Sequence, residues 1–164
     1  MSYFKDQSGG LHFLDDDAFA NLLPAGSVKI TDAEADAMRA LTPDQAKAHA
    51  WEAIKAMRDQ RKAGGVKVKV GAANKWFHSD DASRIQQMGL VMMGAGIPAD
   101  LQWKTMDGSF IAMNQTVAGA VFTAAAASDQ AVFAVAEGHR VAMEASADPA
   151  AYDYSTGWPK IYGE

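Results

Sequence analysis

The amino-acid sequence predicts an α+β fold: a small β-rich N-terminal module, then helix, hairpin, helix, hairpin, long helix and an aromatic C-terminal tail. Three observations support this prediction. Residues 66–70 alternate valine with lysine, as a strand with one buried face does. Asp107-Gly108 lies between two apolar runs and is typical of a tight hairpin turn. Helix-start signals occur at Thr31 and Thr42, so the chain combines helices with these strands and hairpins.

Residues 1–41 form the first predicted domain. Aromatic runs at 3–6 and 11–14 flank the glycine-containing segment 7–10, which indicates a hairpin. Three acidic residues at 15–17 then precede an apolar stretch. Such a run can bind a cation, but no EF-hand spacing follows, and a helix N-terminus is the favoured interpretation because carboxylates there accept free backbone N–H groups.

The rest of this module is a short strand at 27–30 and a helix to about Leu41. Thr31 and Glu34 form a capping box, in which each side chain accepts the other residue's backbone N–H. A module of this size is marginal alone, so we expect it to pack on something else.

Residues 42–149 form the second predicted domain, which begins with a helix. Thr42 caps it, Pro43 takes the first helical position and Gln45 completes the box. Apolar residues at steps of three and four continue the helix to about Ala63.

A hairpin and a helix follow. The strand at 66–70 is predicted to turn at 71–74 and return at 75–78. Ser79 or Asp80 is expected to cap the next helix. The apolar residues on one face of this helix are Ile85, Met88 and Met92.

The second hairpin has the clearest signal in the chain. If Asp107-Gly108 forms a two-residue type I′ turn, Thr105 lies opposite Phe110 and Trp103 lies opposite Ala112. The residues then expected on one face, towards the core, are Leu101, Trp103 and Phe110.

From the Asn114 cap, a continuous or slightly kinked helix is favoured over two helices broken near Ser128, since neither glycine nor proline interrupts the chain at that point. Pro149 marks its end. The tail, residues 150–164, is too rich in aromatic residues to hang free in water, and we expect it to dock on its own domain, a sister subunit or a partner. Its aromatic residues are Tyr152, Tyr154, Trp158 and Tyr162.

Composition and charge argue against several classes of partner and of catalytic group. The net charge of −5 argues against nucleic acid or an anionic membrane surface as a partner. The chain has no cysteine, which excludes disulfides and thiol nucleophiles and fits a reducing cytoplasm. Residues 1–6 do not resemble a signal peptide. No stretch is expected to be long and apolar enough to span a bilayer, because Ser128, Asp129 and Gln130 interrupt the most apolar run, residues 117–136, and no membrane insertion is expected.

The adjacent residues His78-Ser79-Asp80 invite a catalytic interpretation, as in a small hydrolase. Triad side chains usually converge from separate elements, and no nucleophile elbow is present. A structural role is therefore favoured, in which Ser79 or Asp80 caps the helix, Asp80 pairs with Arg84 and His78 fastens the strand end. No catalytic residue is assigned.

No metal or cofactor site is predicted. The four histidines, at positions 12, 49, 78 and 139, lack metal-ligand spacing, and the glycine pairs follow helices rather than opening them. Most methionines are interpreted as core residues, with an adaptable binding surface as the alternative.

Aromatic residues are the remaining candidates for function. Tryptophan and tyrosine are preferred at protein interfaces, although a core position is the favoured interpretation for each one taken singly. The tail is the exception, and an interface is favoured there. The predicted partner-binding residues are Trp76, Phe77, Trp103, Tyr152, Tyr154 and Trp158, and the predicted structural motif is His78, Ser79, Asp80 and Arg84.

Several motifs follow one another in a fixed order over residues 45–147. They are Ala50-Trp51, Arg61-Lys62-Ala63-Gly64-Gly65-Val66, Trp76-Phe77-His78-Ser79-Asp80, Ser83-Arg84, the run from Trp103 to Phe110, and His139. This ordered set resembles an uncharacterised domain that is common in tail-associated proteins of tailed bacteriophages and prophages. Residues 3–38, with an aromatic hairpin, a strand and a Thr-Asp-x-Glu helix start, are similar to the start of tail fibre assembly chaperones.

This resemblance implies a non-enzymatic protein that binds the trimeric distal tip of a phage tail fibre and helps it fold. It implies action in the host bacterial cytoplasm during assembly, with retention on the virion tail as an open alternative. A permanent structural protein of the tail or baseplate is the second hypothesis, and a hydrolase using His78 with Ser79 or Asp80 is the third. A homo-oligomer is compatible with each.

Overall fold

A computed structural model describes every residue, Met1–Glu164. The chain divides into two compact units, Met1–Gln45 and Ala46–Glu164. Helices and small antiparallel sheets are mixed throughout, so the predicted α+β class is confirmed.

The first unit is built on a three-stranded antiparallel sheet. Its strands are β1 (Ser2–Lys5), β2 (Leu11–Leu14) and β3 (Val28–Ile30), with β1 in the centre. Helix α1 (Asp32–Arg39) follows β3 and contacts β1. Phe4 and Ala35 supply the buried apolar side chains of this unit.

Local capping interactions set the helix starts of the first unit. Thr31 Oγ1 accepts the N–H of Glu34 at 3.2 Å, and the Glu34 carboxylate accepts the N–H of Thr31 at 2.8 Å, which is the predicted capping box. Asp16 accepts the N–H of Ala18 at 2.9 Å and caps a short 3₁₀ helix, Asp17–Leu22. The acidic run therefore opens a helix, which is tighter and shorter than an α-helix.

The second unit follows the predicted order of helices and hairpins. Its elements are α2 (Pro43–Ala63, which begins just before the unit boundary), β4 (Val66–Val70), β5 (Ala73–Phe77), α3 (Asp81–Met93), β6 (Gln102–Lys104), β7 (Phe110–Ala112) and α4 (Gln115–Glu144). β4 pairs with β5, and β6 pairs with β7.

Two apolar clusters stabilise the second unit. The first joins β4, β5, α3 and α4, and Phe77 and Val121 are fully buried in it. In the second, Ile54 of α2 packs with Ala136 and Met143 of α4. Because α4 contributes to both clusters, it connects the two halves of the unit.

Both predicted hairpin turns need correction. In the first, Val70 pairs with Ala73, so the turn contains only Gly71 and Ala72. In the second, Lys104 pairs with Phe110 and the loop closes with an N–H of Gly108 donated to the carbonyl of Thr105.

The register of the second hairpin is shifted by one residue from the prediction. Asp107 does not adopt a positive φ, whereas Gly108 does, at 82°, so a type I′ turn is excluded. A shift of one residue moves side chains to the other face of a strand. Ile111 therefore packs against the first cluster with Trp103, and Phe110 is 63% exposed.

Helix α4 is continuous through Ser128, as predicted. It is also long and apolar enough to cross a membrane by length and composition, which contradicts the expectation that no segment meets this criterion. Its many alanines outweigh the polar residues near Asp129 in the average. A core helix can meet the same criterion, and α4 packs one side against β4 and α3.

Candidate protein-binding surface

Ser79 joins the end of α2 to the first hairpin. Its hydroxyl donates to the carbonyl of Lys62 at 2.7 Å and accepts the N–H of Gly65 at 2.8 Å. The side chain is fully buried. The first bond satisfies a carbonyl that the C-terminal end of α2 leaves unpaired, and the second satisfies the backbone N–H of Gly65 just beyond the helix.

Arg84 joins three elements through one guanidinium group. It forms a two-pronged ion pair with Asp129 of α4, at 2.6 and 2.7 Å. The same group donates to the carbonyls of Ser79 and Lys62. The expected pairing of Arg84 with Asp80 is therefore wrong, because Asp129 offers both carboxylate oxygens to the planar guanidinium.

Asp80, one of the two predicted caps, is the N-cap of α3. Its carboxylate accepts the N–H of Ser83 at 3.0 Å and the Ser83 hydroxyl at 2.8 Å. These bonds lower the pKa of the Asp80 carboxyl below its ordinary value. The charge also suits the positive end of the helix dipole.

The residues His78, Ser79 and Asp80 do not assemble as a triad. The Ser79 hydroxyl is buried and donates to a carbonyl, and Asp80 bonds to Ser83. The imidazole of His78 makes no hydrogen bond to another residue; only its backbone carbonyl does, accepting from Gln87 at 2.7 Å. The segment acts as a joint between elements, with Ser79 and Arg84 as its main contacts.

Three of the predicted partner-binding aromatic residues lie in the hairpins. Phe77 is fully buried, so its ring belongs to the core and not to a binding surface. Trp103 is half-buried and packs on the first cluster. Trp76 is half-buried, with its ring edge against Tyr162 at a centroid distance of 6.1 Å.

The three predicted tail residues pack on the tail's own unit. Tyr152, Tyr154 and Trp158 lie against the cluster of Ile54, Ala136 and Met143. His139 of α4 holds the tail further, because its ring nitrogens lie 2.9 Å from the Tyr152 hydroxyl and from the carbonyl of Thr156. These aromatic rings are used mainly to fasten the tail.

A different surface is exposed and apolar, namely the face shared by α3 and α4. Ile85 is 66% exposed, Met92 is 81% exposed, and Met88 and Phe122 are each nearly half exposed. An open groove of about 300 Å³ is lined by Ile85, Met88 and Phe122 together with Ala126. The Arg84–Asp129 pair also lines this groove. We call Ile85, Met88, Met92 and Phe122 the α3–α4 face.

This face has almost no charge. No charged residue occurs at positions 85–99 or 108–128, which include most of α3 and the first half of α4. A helix that meets water normally carries charged residues on its outer side. Exposed apolar surface without charge is typical of sites that bind another protein.

The sequence predicted that Ile85, Met88 and Met92 share one face of α3, and most methionines were interpreted as core residues, with an adaptable binding surface as the alternative. Periodicity places Ile85, Met88 and Met92 together but does not say which way they point, and Leu90 on the other side of the helix is the residue that packs into the first cluster. The missing charge after Arg84 was the available signal, because beyond its first turn α3 has no charged residue to place in solvent.

No group of three or more histidine, aspartate or glutamate side chains is arranged to hold a metal ion. The fold and this surface define a small α+β domain of two hairpins and three helices with an exposed apolar helix face.

Residues 45–156 match the family described as Domain of unknown function (DUF4376), and the chain belongs to that family. No curated protein and no solved structure shows significant similarity to the chain.

Proposed function

We propose that this protein is a non-enzymatic binding protein of phage tail fibre assembly, either a chaperone or an accessory subunit of the distal fibre tip. On this proposal the α3–α4 face covers apolar surface of the fibre until its trimer closes. The exposed apolar face carries the proposal. The ordered motifs that resemble tail-associated proteins supply the identity of the partner.

The chemistry of the face suits a partner whose surface is still changing. Met88 and Met92 are unbranched and adapt their shape to irregular apolar surfaces. Because no charged side chain occupies the face, binding does not require a charge to be desolvated. Ile85 and Phe122 are stiffer and can serve as anchors in partner pockets.

The polar contacts of Ser79 and Arg84 fix the position of this face before a partner binds. The Arg84–Asp129 pair ties α3 to α4 at the end of the groove. A groove that is formed before binding loses less conformational entropy when it is occupied. The Arg84–Asp129 pair therefore supports binding by keeping the groove in one conformation.

Co-expression with the adjacent tail fibre gene tests the proposal. The double variant Ile85→Asp/Met92→Glu should reduce the yield of soluble trimeric fibre to the level seen without this protein. Gln86→Glu adds a charge at an exposed position of the same helix outside the face, and should leave the yield unchanged. Equal fibre yields with and without the protein would contradict the proposal.

Purified virions separate the two forms of the proposal. A transient chaperone acting in the host cytoplasm should be absent from them. A tip-bound accessory subunit or a permanent structural protein of the tail should be present in fixed proportion to the fibre. In the structural case, removing the protein should leave fibre folding intact while tails fail to assemble.

A further inference from the structure

Strand β4 has a free edge. It pairs with β5 on one side only. The turn between them has Gly71 at φ 61° and Ala72 at a negative φ, which is the pattern of a type II′ turn. In such a hairpin the residues next to the turn, Val70 and Ala73, form a hydrogen-bonded pair, and bonded and non-bonded pairs alternate from there.

Because of this alternation, the backbone N–H and C=O groups of Lys67 and Lys69 point away from β5. Each is in a non-bonded pair, with Trp76 and Asn74 respectively. On the opposite side of the hairpin, the Trp76 carbonyl accepts the N–H of Met106 at 2.9 Å, as the same alternation requires. The backbone N–H and C=O groups of Lys67 and Lys69 have no hydrogen-bond partner in the protein.

Open cavities flank both ends of this edge. A cavity of about 430 Å³ lies beside Lys67 and is also lined by Ala124 of α4 and Lys160 of the tail. Another of about 680 Å³ lies beside Lys69 and reaches Ala120 of α4. A strand added at the usual spacing of about 4.8 Å would meet the small side chains of α4 on one face.

Lysines outnumber acidic residues along the edge: the acidic residue that lines the cavity beside Lys67 is Glu164, whose carboxylate is paired with Arg61. Lys67, Lys69 and Lys160 take part in no ion pair, whereas Lys75 on β5 is paired with Asp107. Edge lysines often serve only to prevent strand pairing between copies of a protein. The same charges attract a strand that carries acidic side chains at alternate positions, since opposite charges on neighbouring strands stabilise pairing.

We propose that the free edge of β4 binds an extended acidic segment of a partner polypeptide by strand addition. The partner's backbone pairs with Lys67 and Lys69, its acidic side chains lie next to the two lysine side chains, and its alternate small apolar side chains lie against Ala120 and Ala124. This site is separate from the α3–α4 face and does not depend on the proposal about tail fibres.

The test uses the full chain and a synthetic peptide of about seven residues that alternates glutamate with valine. In the free protein, the Lys67 and Lys69 amides should exchange quickly with solvent because they are unpaired. At millimolar peptide their exchange should slow about tenfold or more, because paired backbone N–H groups are protected. The Val68 and Val70 amides already face β5 and should change much less.

Control peptides and variants separate strand addition from simple charge attraction. The double variant Lys67→Glu/Lys69→Glu should no longer bind the acidic peptide and should instead bind a peptide that alternates lysine with valine. Lys104→Glu, an exposed lysine on the other hairpin, should bind the acidic peptide as the unaltered protein does. An acidic peptide N-methylated at alternate residues should bind at least tenfold more weakly.

Unchanged exchange of the Lys67 and Lys69 amides at saturating peptide, or no binding at millimolar concentration, would overturn the proposal and leave the lysines as protection of the edge. Equal binding of the N-methylated peptide would also overturn it, because attraction would then be electrostatic without backbone pairing.

Discussion

The first unit of the chain buries few apolar side chains, whereas the second buries many. Of the fifteen buried apolar residues, only Phe4 and Ala35 belong to Met1–Gln45. In the same unit Phe13, Phe19 and Leu22 are about half exposed or more. The second unit has two apolar clusters and a buried polar joint.

The units differ as much in charge. Residues 1–45 contain eight acidic and three basic residues, and residues 46–164 contain twelve of each, so the whole net charge of −5 lies in the first unit. Exposed polar contacts, such as the ion pair of Lys29 with Asp17, hold the first unit together. We infer that its stability depends on local turns and caps, and that of the second unit on packing.

The largest expected effect that tests this comparison comes from core truncation. Phe77→Ala should lower the free energy of unfolding of the second unit by about 4 kcal/mol, because it removes a fully buried ring. Phe4→Ala should leave that transition unchanged and abolish amide protection in β1 and β2 instead.

Tryptophan fluorescence during urea unfolding measures the first effect cleanly. All four tryptophans, at positions 51, 76, 103 and 158, lie in the second unit, and hydrogen exchange reports on the first unit. Similar shifts of the fluorescence transition in Phe77→Ala and Phe4→Ala would contradict the comparison.

Removal of one partner of an ion pair should lower the free energy of unfolding by less than core truncation does. The Arg84 and Asp129 side chains are 19% and 29% exposed, whereas those of Lys29 and Asp17 are about half exposed. Arg84→Ala should cost about 2–3 kcal/mol, because it leaves Asp129 without its partner and also removes the side-chain donor of the Ser79 carbonyl. The Lys62 carbonyl keeps the hydrogen bond from the Ser79 hydroxyl. Lys29→Ala should cost less than about 1 kcal/mol, as solvent screens the pair.

A double-mutant cycle with Asp129→Ala isolates the coupling of the Arg84 pair. Urea unfolding followed by tryptophan fluorescence is the measurement, with Arg84→Lys as a matched control that keeps the charge but not the planar fork. A coupling near zero would show that the guanidinium acts only through the carbonyls of Ser79 and Lys62.

Features set by neighbouring residues were predictable from the sequence. The capping box of Thr31 with Glu34, the Asn114 cap and the Asp80 cap each depend on side chains within three residues of the groups they bond. The continuity of α4 through Ser128 followed from the absence of glycine and proline near that residue.

Features that depend on distant partners were not predictable. Asp129 lies 45 residues from Arg84, so nothing near Arg84 indicated which carboxylate it would bind. The register of the second hairpin depended on whether Asp107 could adopt a positive φ. The exposure of Ile85 and Met92 depended on which side of α3 met the first cluster, which periodicity alone does not determine.

The smallest expected effect concerns two aspartates in hairpin turns, one in each unit. Hydrogen bonds from the hydroxyls of Ser109 and Thr105 and from Lys75 hold the pKa of Asp107 well below its ordinary value of 3.8. In the first unit, hydrogen bonds from Ser8 and from His12 do the same for the pKa of Asp6.

Because the folded-state pKa is lowered, each aspartate stabilises its unit above the ordinary pKa and loses that contribution as the pH falls below it. The unaltered protein should therefore lose stability in acid more steeply than Asp107→Asn, between about pH 5 and pH 2. Asp6→Asn should leave this tryptophan-monitored acid limb unchanged and instead flatten the pH dependence of exchange at the Gly10 amide, which donates to Asp6 at 2.8 Å. The opposite outcome is that Asp6→Asn reduces the acid sensitivity of the tryptophan-monitored transition as much as Asp107→Asn does. The turn of the first unit would then contribute to the stability of the second unit. This would contradict the inference that the first unit depends on local turns and caps and the second on packing.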